Sequence, residues 1–428
     1  MDEPLVVYLW EHRVGALTWD DAQQVANFQY DPDFARTGLQ VSPLLLPLSA
    51  NRVFSFPELS RTATFKGLPG LIADSLPEKF GNFLLDAHLA KHGRRIEELT
   101  PLERLCYVGR RGMGALEYEP DYEQRNLSKA IPLQVSDLVS VARDMLAHRK
   151  QAKANIRTDG IETLIAVGTS AGGAKAKAVI AYNPDTGDVL SGQVDAPEGY
   201  SHWLLKFDEV ENEELATSKQ IGRIEYAYSL MARAAGINMM ECQLLEDGDS
   251  AHFMTRRFDR VDNNTKVHVV TFAGMAHADR DPPGSVGYER LFQTMRDLGL
   301  PQSDLTEMYR RMVFNISSRN QDDHSKNHAF LMFGDGSWQL SPAYDLCFSY
   351  KPGNPFIERH QMSCNGKRDN FELSDLLTAA RDADVKRPHV IIDEVEQALS
   401  RWQEFADAAK LQPIRGKQIG SLFRFFLK

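Results

Sequence analysis

Hydrophobic and polar positions alternate over the first fifty-five residues as in short strands joined by turns. Leu5-Val6-Val7-Tyr8-Leu9 and Gly15-Ala16-Leu17-Thr18-Trp19 are the clearest runs. Gly67-Leu68-Pro69-Gly70-Leu71 then makes a turn-rich approach to a helix. Ser75-Leu76-Pro77-Glu78 has capping-box spacing, with proline tolerated in a first helical turn. Apolar positions at Phe80, Phe83, Leu84 and Leu89, with His88 among them, recur at helical spacing. Leu102 to Val108 reads as a second helix, and Gly114 to Pro120 as a closing strand. The stretch 121–160 is polar and mixed, with a helix expected from Ser136 to Ala147, and reads as a linker.

The pattern changes after residue 160. Leu164-Ile165-Ala166-Val167 reads as strand-like and leads into the glycine-rich Gly168 to Ala174. Ala178 to Tyr182 is a strand, Asn183 to Gly187 a turn, and His202 to Phe207 a third strand-like run. Glu225 to Ala235 is strongly helical, and Phe253-Met254-Thr255 lies near another strand. From about residue 287 helices dominate, interrupted by a hairpin signal from Leu331 to Leu340. The expected class is α+β: an N-terminal α+β subdomain (1–125), a β-rich lobe with a preceding linker helix (126–260) and a helical lobe (261–428).

Composition narrows the classes. Of 428 residues, 43% are hydrophobic and 25% charged, which argues against wholesale disorder. Forty-nine Lys and Arg against 59 Asp and Glu give a net charge of −10, which disfavours coating DNA or anionic lipid by bulk charge but leaves room for a local basic groove. No apolar run approaches the roughly 20 residues of a bilayer span, so no membrane partner is expected. Met1-Asp2-Glu3-Pro4 lacks the basic start of a signal peptide. Four scattered cysteines without a CxxC pair fit a reduced, cytoplasmic protein without structural zinc.

The segment richest in chemistry is Asn320-Gln321-Asp322-Asp323-His324-Ser325-Lys326-Asn327, followed by the hairpin and by Ala343-Tyr344-Asp345. Asp322 and Asn327 have the Asp-x-x-x-x-Asn spacing of a kinase catalytic loop. There the Asp accepts the proton of an attacking hydroxyl, the Asn oxygen reaches a magnesium ion, and a later Asp bridges the metal. Gly168 to Gly173 offers backbone N–H groups to phosphate oxygens. Lys206, inside an apolar strand, needs an anionic partner, and a phosphate together with the helical carboxylate of Glu225 would supply one. Glycine loop, strand Lys, helix Glu, Asp322, Asn327 and Asp345 follow one another in the order this chemistry requires.

Ser170-Ala171-Gly172-Gly173-Ala174-Lys175-Ala176-Lys177, Arg257-Phe258-Asp259-Arg260, Asp322 to Asn327 and Ser341-Pro342-Ala343-Tyr344-Asp345 together resemble the HipA-type serine/threonine kinase toxins. Gly67 to Gly81 and Val108 to Pro120 extend the resemblance, which runs from about residue 5 to about residue 400. It implies a two-lobed protein-kinase-like core, use of ATP and Mg2+, and phosphorylation of a protein, with an aminoacyl-tRNA synthetase as the leading substrate class. It further implies restraint by a helix-turn-helix, HipB-like antitoxin, with DNA reached only through that partner. By position, Asp322 resembles the catalytic base, Asn327 and Asp345 the magnesium ligands, and Lys206 the phosphate-binding lysine supported by Glu225. Ser170, Ala171, Gly172, Gly173, Ala174 and Lys177 match the nucleotide loop. Arg256, Arg257 and Phe258 match the hinge whose backbone meets adenine; Asp259 would lie near the ribose and His324 near the nucleotide. Ser170 matches an autophosphorylated serine, with Thr169 as a competing acceptor. Asp323 stands where glycine is familiar, and its added charge would either bind metal or weaken activity.

Other motifs weigh less. Gly109-Arg110-Arg111-Gly112-Met113-Gly114 precedes a strand rather than a helix, so it reads as a turn with exposed arginines. Thr271 to Gly284 is a loop candidate near the active lobe, read as substrate-facing or as packing. The basic, aromatic tail around Arg424 is expected to dock on the protein's own surface. Two functions compete with a protein kinase: a weakly active or inactive nucleotide-binding partner of a DNA-binding antitoxin, motivated by Asp323 and the acidic surface, and a small-molecule phosphotransferase.

Overall fold

The computed structural model describes residues 3–122, 130–147, 163–165, 167–168, 173, 175–208, 220–248, 250–262 and 264–427. The N-terminal unit is an antiparallel sheet ordered β4-β3-β2-β1-β5, built from β1 (Leu5–Leu9), β2 (His12–Asp20), β3 (Val25–Tyr30), β4 (Val53–Phe54) and β5 (Leu116–Glu119). Along β1, fully buried Leu5, Val7 and Leu9 alternate with partly exposed residues, the pattern of a strand with one face on a core. The helices of this unit are α1 (Pro32–Ala35), α2 (Gly70–Ala73), α3 (Lys79–Lys91) and α4 (Pro101–Cys106). The capping box expected at Ser75 is absent. Glu78 precedes α3 without a side-chain cap, and Ser75 Oγ instead accepts from Tyr118 Oη at 2.7 Å. The capping box forms at Thr100 and Glu103, ahead of α4.

A second antiparallel sheet, ordered β7-β6-β8-β10-β9, consists of β6 (Lys177–Tyr182), β7 (Val189–Ser191), β8 (Ser201–Lys206), β9 (Cys242–Asp247) and β10 (Ser250–Arg256). Helix α5 (Val135–Ala147) precedes it, and α6 (Ile221–Ala234) packs on β9 and β10. Gly222 permits that packing, since a Cβ there would sit 2.2 Å from the Ala251 carbonyl oxygen. Two sequence readings need correcting here. The described residues around Leu164–Gly168 are helical rather than strand, and Glu225 lies in the second turn of α6 rather than opening it.

After the hairpin of β11 (Arg260–Val261) and β12 (Thr265–Lys266), a small sheet joins β13 (His268–Thr271), β14 (Ala329–Met332) and β15 (Trp338–Leu340). The expected hairpin is β14–β15, with Phe330 opposite Leu340. Helices complete the lobe: α7 (Phe272–Ala276), α8 (Tyr288–Asp297), α9 (Gln302–Ser317), α10 (Leu373–Asp382), α11 (Pro388–Ser400), α12 (Trp402–Ala408) and α13 (Pro413–Gly420). No helix among the described residues is long and apolar enough to cross a membrane.

The cores do not follow the linear division into three. One continuous apolar cluster runs from the N-terminal sheet through α6 into the helical lobe, while the second sheet shares its core with Phe80 and Leu84 of α3. Polar contacts fasten the same junctions. Asp74 accepts from the backbone N–H and hydroxyl of Thr271, each at 2.8 Å, and α2 lies so close to α7 that a Cβ on Gly70 would be 2.4 Å from the Gly274 carbonyl oxygen. The segment Phe272–Ala276 therefore serves packing rather than substrate. The glycine–arginine turn is also fastened inward: Arg111 is buried on Tyr107, and the Gly114 N–H donates to Asp259 at 2.6 Å.

Asp259 is fully buried between Arg257 (2.7 Å) and Arg260 (2.9 Å). Burial works to raise its pKa, but the two guanidinium groups outweigh burial and hold the carboxyl well below its ordinary range. Asp259→Asn should cost about 3–5 kcal/mol in urea unfolding at neutral pH, the scale for breaking a buried pair. Because the folded pKa is depressed, that stability is complete above the unfolded value of about 3.9 and is lost as pH falls below it. The gap between wild type and variant should therefore narrow below about pH 4; a constant gap would show that charge is not the cause.

Candidate active site

Lys206 closes β8, directly opposite Lys177 on β6 and Phe253 on β10, so two lysines share one face of the sheet. Like charges facing each other across strands repel. Carboxylates from two other elements offset this: Lys206 Nζ donates to Glu225 of α6 and to Asp345, the latter at 2.5 Å. Burial alone would lower the Lys206 pKa, but Asp345 and Glu225 raise it above the ordinary lysine range. Lys177 has no such bonded partner among the described residues, and burial together with the Lys206 charge lowers it to about 8. Lys175 also lies within electrostatic reach of Asp345 and Glu225. Asp345, in a left-handed turn at φ 55° after β15, answers all three ammonium groups, which outweigh its burial and keep it ionised.

The loop between α9 and β14 carries Asp322 and Asn327. Asn327 lies in a 3₁₀ turn (Ser325–Asn327), and its amide donates to the Asp322 carbonyl at 2.8 Å. That bond orients the side chain and leaves Oδ1 without a partner among the described residues. Asp322 is half-exposed, with His324 Nε2 4.0 Å from its carboxylate. Burial and the Asp345 charge raise its pKa, against the pull of His324 and Lys175. Tyr344 links this loop to the segment after β10, its hydroxyl donating to Lys326 O at 2.6 Å while its ring packs against Phe258 at 5.6 Å.

The structure thus brings Lys206, Glu225, Lys177, Asp345, Asn327, Asp322 and His324 to one cleft, with Arg256 and Phe258 where β10 leaves the sheet. Gly173 borders the cleft, its carbonyl accepting from the Phe80 N–H at 3.4 Å. Thr169, Ser170, Ala171, Gly172 and Ala174 lie outside the described residues. Two readings change. Asp259 cannot face a ribose, because both carboxylate oxygens are occupied by Arg257, Arg260 and Gly114 in a buried junction, and the Arg257 side chain is committed there too. Asp323 is neither a metal ligand nor a free charge in the cleft. Its carboxylate is buried and accepts from Tyr288 Oη (2.8 Å), His360 Nδ1 (2.9 Å) and the Gln361 N–H (2.9 Å). Arg424 stands 3.3 Å from His360 Nε2, so the tail reaches the ring whose other nitrogen meets Asp323.

Sequence reasoning missed Lys175 as a third ammonium near Asp345, and it missed Glu78, which accepts from Lys326 at 3.0 Å. Lys175 lies in a bend two residues before β6 begins at Lys177, and the Ala-Lys-Ala-Lys alternation was an available signal for it. Nothing local marks Glu78, whose partner is 248 residues away.

Two family models match the chain: "HipA N-terminal domain" over residues 5–119 and "HipA-like C-terminal domain" over 169–402, the latter more than half of the chain. A curated relative from Sinorhizobium fredii, named "Putative kinase Y4dM", is 26% identical over 203 residues, 44% of this chain. The match spans about half of that relative, 48% of its length. Among solved structures, the HipA of Shewanella oneidensis MR-1, from a complex with HipB and operator DNA, has the same fold: TM-score 0.63 at 17% identity, covering 97% of this chain and 94% of that one. The Helicobacter pylori proinflammatory kinase CtkA aligns with 52% of this chain at 12% identity and a TM-score of 0.34, too low to bear on the fold.

Asp323→Ala should cost about 3–5 kcal/mol in urea unfolding, since several buried donors lose their acceptor at once. A metal-ligand role would instead weaken Mg2+ binding and leave stability unchanged.

Proposed function

The chain belongs to the HipA family, and on that premise we propose that it is an ATP- and Mg2+-dependent protein kinase that phosphorylates serine or threonine. The observation that carries the reading is the Lys206 ammonium held between Glu225 and Asp345, in one cleft with Asp322 and Asn327. Lys206 and Lys177 would bind the nucleotide phosphates, with the backbone of Arg256 to Phe258 along the base and the Gly173 loop over the phosphates. Asp345 and Asn327 Oδ1, which has no partner among the described residues, are hard oxygen donors of the kind Mg2+ takes alongside phosphate oxygens. Bound Mg2+ would neutralise charge on the transferred phosphoryl group. Asp322 accepts the proton of the acceptor hydroxyl, and its raised pKa makes it a better base than an ordinary carboxylate.

The family reading extends to growth inhibition through a translation component such as an aminoacyl-tRNA synthetase, to autophosphorylation at Ser170 with Thr169 as competitor, and to a HipB-like antitoxin. The Shewanella structure, in which HipA accompanies HipB and operator DNA, supports such a partner, with DNA contacted through it. The alternative of an inactive module keeps the acidic surface as a motive and loses Asp323, whose charge points into the protein and not into the cleft.

Incubated with labelled ATP and Mg2+, the protein should incorporate phosphate, and Asp322→Gln should reduce the rate at least about 100-fold with the fold intact by circular dichroism. Wild-type activity should rise with pH through a value above the ordinary Asp pKa, and the residual activity of the variant should lack that limb. Undiminished transfer by Asp322→Gln would overturn the assignment.

A further inference from the structure

Glu78 stands where the N-terminal unit meets the Asp322–Asn327 loop, and cations from separate parts of the chain gather around it. Its carboxylate accepts from Lys326 at 3.0 Å and faces Arg280 at 3.5 Å. Lys66 lies within electrostatic reach of Lys326, Arg280 and Arg104. Lys79, next to Glu78, holds its ammonium 5.5 Å from the ring of Phe356, which is 47% exposed. Among the described residues, the ammonium groups of Lys66 and Lys79 have no hydrogen bond and no carboxylate partner.

The acids nearby do not cancel this charge. Glu78 is shared by Lys326 and Arg280, Asp281 approaches Arg280 at 3.7 Å, and Glu97 acts on Arg104. Asp74 acts on Lys326 while bonded to Thr271, and Asp279 accepts from Thr64 at 2.5 Å. Among the described residues, none of these five pairs with Lys66 or Lys79. Burial and three neighbouring cations lower Lys66 to about 8, a cost that a bound anion would remove. Lys326 belongs to the segment between Asp322 and Asn327, so the cluster adjoins the point where an acceptor hydroxyl must lie. A chain of net charge −10 repels acidic partners at long range, so such a cluster would confer selectivity only at the site itself.

We propose that Lys66, Lys79 and Arg280 form an anion subsite that receives acidic side chains flanking the acceptor hydroxyl of a polypeptide substrate. This rests on the kinase reading for its role, though not for the binding itself. Phe356 supplies an exposed apolar surface beside Lys79 for the same segment.

The test uses two fluorescent twelve-residue peptides, each with one serine, flanked in one by Glu and in the other by Gln. Anisotropy is measured against the full-length protein at low salt and at about 0.3 M salt, where exposed pairs are screened. The Glu peptide should bind about tenfold more tightly than the Gln peptide, as two or three partly exposed charge pairs provide. That advantage should shrink in salt and disappear in Lys66→Gln/Arg280→Gln. Lys79→Glu, a change at an exposed position, should weaken it without any risk to folding. Equal affinity for the two peptides, or an unchanged advantage in both variants, overturns the proposal. So does a single-stranded oligonucleotide that outcompetes the Glu peptide at the same residues, which would assign the subsite to nucleic-acid phosphate. Selective binding of the Glu peptide by a protein that incorporates no phosphate would uphold the subsite and sink the kinase reading.

Discussion

The ammonium of Lys206 ends a strand in an apolar sheet and can stay charged there only because Glu225 and Asp345 reach it from two other elements. Each partner constrains a different part of the molecule. Glu225 requires α6 to lie close on β10, which Gly222 permits. Asp345 requires the turn after β15 to adopt a left-handed conformation, and so fixes the helical lobe against the second sheet. The contact is therefore both the electrostatic centre of the cleft and the joint between its two sides.

The joint does not act alone. The N-terminal unit shares its core with the helical lobe and lends α3 to the core of the second sheet, so it braces both walls of the cleft. Asp259, between two arginines and the Gly114 N–H, ties this unit to the segment that leaves β10. On the opposite side, Arg424 of the tail, His360, Tyr288 and Asp323 anchor the loop that carries Asp322. A half-exposed carboxylate thus sits on a loop whose next residue is immobilised from below.

Much of this was legible in the chain. The order of Lys206, Glu225, Asp322, Asn327 and Asp345 follows from spacing, and the β14–β15 hairpin from its Gly-Asp-Gly turn between apolar runs. What stayed hidden shares one cause: its partners are remote in sequence. Asp323 reads as an extra charge until His360 and Gln361 are seen to enclose it. Asp259 reads as a ribose contact because its motif is local, whereas its occupants include Gly114, 145 residues away. Ser75 has the spacing of a helix cap, but Tyr118 of a neighbouring strand takes its hydroxyl, and a helix cap formed one helix later, at Thr100. The net charge of −10 likewise concealed the cations around Glu78, because a sum over the chain carries no position.

In the proposed kinase, Lys206 and Asp345 form one half of a magnesium–nucleotide site whose other half is the nucleotide itself. Calorimetric titration of the full-length protein with ATP, with and without Mg2+, tests it most directly. Binding should be markedly tighter with Mg2+, with that gain lost in Asp345→Asn and overall affinity reduced in Lys206→Met. Equal binding with and without Mg2+, or a Mg2+ gain that survives Asp345→Asn, would contradict it.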